Sequence, residues 1–319
     1  MRFPISVKLA MRASNAGRTC FEGQEMDARV KRRSVIAAMA AGMLLPPVAW
    51  SAPRSLQLRT KEGREIAVSH WRPKGRRRGV ILFSHGAASA PWKYERLIQP
   101  WADRGWEVFA PLHVDSTDHP DTKSYPGMKS WAARVEDMHL LARRYGRGGY
   151  VAAGHSYGGL TALTLGGAAA AVPEGYQGQL RDPAARCVLA FSPPPPLPGL
   201  ISEAGYAKLA VPALIQTGTQ DMWPAAPPGP DAWRGHLVAY KAAEAGGDRY
   251  ALVLEGVDHY FRGAICRPEL PGPPQLPELA QAVELSLRFM DAHHRRDATA
   301  RRALIAAVND TGPVLLQRK

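Results

Sequence analysis

From Ser55 onward, short apolar runs alternate with segments whose apolar residues recur at helical spacing. Ser55–Thr60 and Glu65–Trp71 read as strands flanking the turn Lys61-Glu62-Gly63-Arg64, which predicts an antiparallel hairpin. Gly79–Ser84, Trp106–Pro111, Tyr150–Ala153, Cys187–Phe191, Ala213–Gln216 and Tyr250–Leu254 read as further strands. The first of these is a continuous apolar run, as expected for a strand buried on both faces. Helices are predicted over Trp92–Arg104 (capped by Gly105), Lys129–Tyr145 (with Trp131, Val135, Met138 and Leu141 on one face), Ser156–Leu165, Leu237–Ala245 and Glu278–His294. A basic helical tail is expected over Arg301–Val308. Strands alternating with helices imply an α/β domain: a mostly parallel central sheet, the hairpin at its N-terminal side, helices on both faces. Ligands of such sheets bind beyond the carboxyl ends of the strands. Val172–Arg186 and Ser192–Pro198 are candidates for a lid or rim, too short to make a second domain.

The chemistry concentrates after those strand ends. Gly154, Ser156 and Gly158 form G-x-S-x-G between a predicted strand and a predicted helix. A sharp strand-to-helix turn strains the serine backbone and leaves no room for neighbouring side chains. It also sets Ser156 at a helix N-terminus, where developing negative charge is favoured. With this motif the chain, over roughly residues 55–295, resembles the α/β-hydrolase superfamily. Within it, the chain is similar to dienelactone-hydrolase-like and platelet-activating-factor-acetylhydrolase-like esterases. A dienelactone hydrolase proper uses Cys where this chain has Ser156, which points away from that activity.

The resemblance implies a serine hydrolase with no metal or organic cofactor, and a triad in the order Ser, Asp or Glu, His. Asp221 follows Ala213–Gln216 after a Gly-containing turn, the position of the family's acid. His259 follows Tyr250–Leu254, the position of its base, and Asp258 is the fallback acid. Of the rival histidines, His236 precedes a helix, His139 lies within one, and His293 and His294 end one; none follows a strand. The oxyanion donors are expected to be the backbone N–H groups of Tyr157 and of Ala87 in His85-Gly86-Ala87-Ala88, with Ala88 as alternative. Trp92, Trp223 and Tyr260 are the candidate substrate-binding residues, with exposed packing as the equal alternative. The loop His113-Val114-Asp115-Ser116-Thr117-Asp118-His119 has ligand-type residues, but a polar loop at a site edge needs no ion. The expected substrate is a small-molecule or lipid-like carboxylic ester. A thioesterase, amidase or peptidase with the same triad is the enzymatic alternative, and a silent hydrolase fold acting by binding is the non-enzymatic one.

Charge and composition narrow this further. The chain has 319 residues, 45% of them hydrophobic, and a net charge of +13. Basic residues do not gather into a sustained stripe, and no nucleic-acid motif occurs, so a nucleic-acid reader is not expected. Residues 1–51 read as a leader with eight Lys/Arg against three Asp/Glu; Met26 is an alternative start. Arg32-Arg33 precedes the modest apolar run Val35 to Leu45 and small residues at Ala49 and Ser51. That layout predicts a Tat-type signal peptide, with Sec export or a tethered N-terminus as rivals. Export to the periplasm or beyond is therefore expected, with residues 52–319 as one α/β domain. The apolar run is too short to span a bilayer. Two cysteines, Cys187 and Cys266, follow the leader; whether they are bridged is open, as is the oligomeric state.

Overall fold

The structure, a computed structural model, describes residues 53–223, 229–246 and 248–319. The leader, its twin arginines and both candidate cleavage positions lie outside the described residues.

Nine strands form one sheet: β1 Arg54–Arg59, β2 Glu65–Trp71, β3 Gly79–Ser84, β4 Trp106–Pro111, β5 Tyr150–His155, β6 Ala185–Phe191, β7 Ala213–Gly218, β8 Arg249–Leu254 and β9 Val314–Arg318. Their order is β1-β2-β4-β3-β5-β6-β7-β8-β9. The run from β4 to β8 is parallel; β1–β2, β2–β4 and β8–β9 are antiparallel. The helices are α1 Glu95–Asp103, α2 Met128–Tyr145, α3 Tyr157–Leu165, α4 Glu203–Tyr206, α5 Val238–Ala242, α6 Leu276–His293 and α7 Ala298–Ala306. The chain is thus an α/β-hydrolase fold.

The period-two alternation of the strands divides the core. Ile81, Phe83, Leu189 and Leu214 face a layer with Leu97 and Trp101 of α1 and Leu279 and Met290 of α6. Leu82, Ala152, Val188 and Ile215 face the other layer, with Val135 and Met138 of α2 and Leu160 and Leu163 of α3. Burial on both faces explains why β3 and β5 read as unbroken apolar runs.

Strand order reverses beside β3: the chain passes from β3 to β4 on one side, then back across to β5 on the other. This is the topological switch point where α/β sheets open a crevice beyond their carboxyl ends. The loop after β3 and the turn after β5 flank it.

Three local expectations are corrected. Trp92–Arg104 begins as a 3-10 turn, Pro91–Tyr94, before α1, and the helix expected over Leu237–Ala245 is the shorter α5, Val238–Ala242, entered from a 3-10 segment, Ala232–Leu237. The basic tail is α7 followed by β9, so the C-terminal residues belong to the sheet. Cys187 and Cys266 are both buried and free: Cys187 lies within β6 and Cys266 beside the loop after β3, where Ser89 Oγ donates to its carbonyl. No helix among the described residues is long and apolar enough to cross a membrane.

Candidate active site

Ser156 caps α3 with φ 55° and ψ −121°, a backbone conformation that costs a non-glycine residue strain. Its N–H is held by the Phe191 carbonyl at the end of β6, 2.8 Å away. A Cβ on Gly158 would lie 1.9 Å from the Ser84 carbonyl oxygen, so only glycine lets the turn close against β3. The Tyr157 N–H opens α3, where no helical carbonyl precedes it.

Asp221 arrives by a different route. Thr219 and Gln220 donate to the carbonyls of Leu254 and Val257, at 3.0 Å each, which fastens the loop after β7 to the loop after β8. The result is a carboxylate with no exposure, 2.7 Å from His259 Nδ1 through Oδ1 and 2.8 Å from the Thr217 hydroxyl through Oδ2. Burial alone would raise the Asp221 pKa; contacts from His236 and His259 hold it well below the usual carboxylate range. With Nδ1 engaged, Nε2 is the nitrogen of His259 left to serve a hydroxyl. The Ser156 hydroxyl itself makes no hydrogen bond among the described residues, and such bonds commonly tighten only on substrate binding. Asp258, the fallback acid, instead accepts the N–H groups of Tyr260 and Arg262 and shapes the turn carrying His259.

His155 ties these parts together. Gly86 N–H donates to Tyr94 Oη at 2.9 Å, and the Tyr94 hydroxyl can then donate to His155 Nδ1, also at 2.9 Å. That leaves the proton on His155 Nε2, which donates to the His259 carbonyl at 2.8 Å. The ring is neutral by its own bonds, and burial, then the neighbouring His259, pushes its pKa down to about 3. One neutral tautomer therefore links the loop after β3, the serine turn and the loop of His259.

A second buried network supports the loop after β3 from below. Arg134 of α2 donates to the His85 carbonyl at 2.6 Å and to Ser84 Oγ at 2.9 Å, and pairs with both oxygens of Asp115 at 2.7 Å. Its guanidinium lies 4.7 Å from the Tyr157 ring centroid. Ser84 Oγ is 3.0 Å from His113 Nε2, and His113 Nδ1 is 2.8 Å from Asp137. This sealed Ser-His-Asp row has no exposure and engages both nitrogens of His113.

Ala87 and Ala88 form the exposed tip of a turn closed by Ser89 N–H to the Gly86 carbonyl. Tyr260 stands edge-on to His259 with ring centroids 4.9 Å apart, and Trp223 edge-on to His236 at 6.3 Å. Trp92 is 46% exposed, and among the described residues no ring contact joins it to Asp221 or the histidines. The Ser192–Pro198 rim is pinned: the Pro193 carbonyl lies 2.8 Å from His236 Nδ1, and the Pro194 carbonyl takes the Tyr206 hydroxyl at 2.7 Å.

The residue sequence reasoning set aside is His236. It is 1% exposed, and its Nε2 lies 3.0 Å from the same Asp221 oxygen that holds His259. Asp221, His236 and His259 have the composition of a metal site. Both rings converge on Oδ1 itself, however, so the carboxylate oxygen occupies the position an ion would take.

A model of the alpha/beta hydrolase family matches residues 81–314. The chain belongs to that family. No curated protein matches the sequence. Among solved structures, this hydrolase is similar to an alpha-beta serine hydrolase homologue from Coxiella burnetii (TM-score 0.52, 15% identity, covering 74% of this chain and 98% of that one). It is also similar to esterase 2 from Thermogutta terrifontis (0.53, 17%, covering 77% and 97%) and to the thioesterase domain from the curacin biosynthetic pathway (0.51, 12%, covering 74% and 100%). At these identities the likeness carries the fold alone.

Proposed function

We propose that this hydrolase cleaves carboxylic esters through an acyl-enzyme on Ser156. The observation that carries the reading is the buried His259–Asp221 pair on the loops after β7 and β8, in the same parallel sheet whose strand β5 ends at a strained, helix-capping serine. Ser156 Oγ attacks the ester carbonyl while His259 Nε2 takes its proton. Asp221 fixes the ring orientation through Nδ1 and balances the imidazolium. The tetrahedral oxyanion is received by the N–H groups of Tyr157 and Ala87. The C–O bond to the alcohol then breaks, His259 returns the proton to the leaving oxygen, and water releases the acid by the same steps in reverse order. Trp223 and Tyr260, each edge-on to a histidine, border the acyl or alcohol side. The esterases among the structural neighbours are consistent with this chemistry.

The test is hydrolysis of p-nitrophenyl esters of rising acyl length by the full chain and by Ser156→Ala. The variant is expected to lose at least about a thousandfold in kcat. Retention of native turnover by Ser156→Ala would overturn the reading. Comparing ester, thioester and amide substrates of one acyl group separates the activities that share this triad.

A further inference from the structure

We propose that His236 is held as an imidazolium and acts as a positioning residue, sharing the Asp221 charge with His259 and setting the acid edge of the activity. This rests on the triad reading above.

His236 Nδ1 lies 2.8 Å from the Pro193 carbonyl, which can only accept. Nε2 lies 3.0 Å from Asp221 Oδ1, also an acceptor. A neutral imidazole has one N–H and one lone pair. Either neutral tautomer would therefore leave an unprotonated nitrogen 2.8 or 3.0 Å from an acceptor oxygen, inside the protein. The imidazolium donates to the Pro193 carbonyl and sets its charge beside the Asp221 carboxylate. Its contact with Asp221 is an ion pair rather than an aligned hydrogen bond, because Nε2 lacks a hydrogen-bond partner by angle.

The surroundings agree. Asp221 faces the ring from the loop after β7 and His259 from the loop after β8, its centroid 5.6 Å away. His155 comes from the end of β5, neutral by its own bonds. The Ser192 and Pro193 carbonyls come from the loop after β6, and Trp223 stands edge-on. Arg234, on the same segment, turns away to Asp231. Burial alone would strip the His236 proton; Asp221 outweighs it and raises the pKa above the ordinary value.

The resting site then holds one carboxylate and, at His236, one imidazolium. With His236 charged, Asp221 is shared between two rings, and activity persists to lower pH than it would with His236 uncharged. Removing the His236 charge gives His259 the whole carboxylate, and protons inactivate the base sooner.

Two measurements on the full chain test this. Nitrogen-15 histidine spectra, with His236→Gln to assign the ring, are expected to show both His236 nitrogens protonated at about pH 7. A lone-pair nitrogen there overturns the proposal. The pH–rate profile with p-nitrophenyl acetate, or with fluorophosphonate labelling of Ser156 if that ester is a poor substrate, is expected to shift. In His236→Gln its acid limb should move up by about one pH unit. A folded variant whose acid limb stays at the wild-type position also overturns it. Failure of the triad reading has a different signature, activity that survives Ser156→Ala, and the ring spectra still decide the charge on His236.

Discussion

Alanine at Gly158 asks a methyl group to share space with the Ser84 carbonyl, and neither β3 nor the serine turn can retreat without opening the sheet. Gly158→Ala is expected to lose at least about 3 kcal/mol, read from denaturant unfolding. An unchanged midpoint would show that the two elements are not locked together. This position was legible in the sequence because its requirement is local: a bare backbone next to the nucleophile. His236 was not legible for the opposite reason. Nothing within several residues of it distinguishes a helix-leading histidine from a ligand of Asp221, fifteen residues earlier; the contact exists only once the loops after β6 and β7 are folded over one another. Tyr94 and Arg134 were missed similarly, as an aromatic and a cation inside apolar helical patterns, pointing inward under the loop after β3.

At the scale of elements, the eight strands with strong apolar runs were readable, and the ninth was not. Val314–Arg318 has five residues after a Gly-Pro pair, and its apolar run, Val314-Leu315-Leu316, is too short to announce a strand. Leu316 sits opposite Leu252 and is 1% exposed, packed against the layer formed by α1, α6 and α7. Leu316→Ala is expected to cost about 2–4 kcal/mol in thermal or denaturant unfolding. A loss below about 0.5 kcal/mol would mean that β9 is a dispensable edge. The two helices that begin as 3-10 turns share a different cause. Tyr94 ends one such turn with its hydroxyl at His155, and His236 lies in the other with its ring at Asp221, so tertiary contacts at their starts override helix spacing.

For the molecule as a whole, three of the ten histidines are sealed from solvent in their neutral form. His85, His113 and His155 have no exposure, and burial is the first cause depressing each below the ordinary 6.5. A folded-state pKa below the unfolded one gives stability that is complete above 6.5 and drains away as pH falls. Each such ring costs about 1.4 kcal/mol per pH unit below that point. Asp137, which burial pushes up to about 7, runs the other way and offsets one of them down to about pH 4. His236, with its raised pKa, contributes nothing further below 6.5. His293 is likewise depressed, to about 4, so the net expectation is a stability that falls as pH drops below about 6, seen as a falling Tm. A flat Tm between about pH 7 and 5 would contradict the neutral-histidine networks.

The ends of the sheet bear on how copies of this chain meet. One outer strand, β1, alternates exposed and half-buried residues, with Arg54 and Arg59 at its ends and Arg59 paired to Glu65. The other, β9, is already met at its middle by Asn309, whose N–H takes the Leu316 carbonyl. A further strand would have to desolvate guanidinium groups at one edge and displace a formed bond at the other. Strand-swapped dimers and fibrils, the common fate of long open sheets, therefore find poor templates at these two edges.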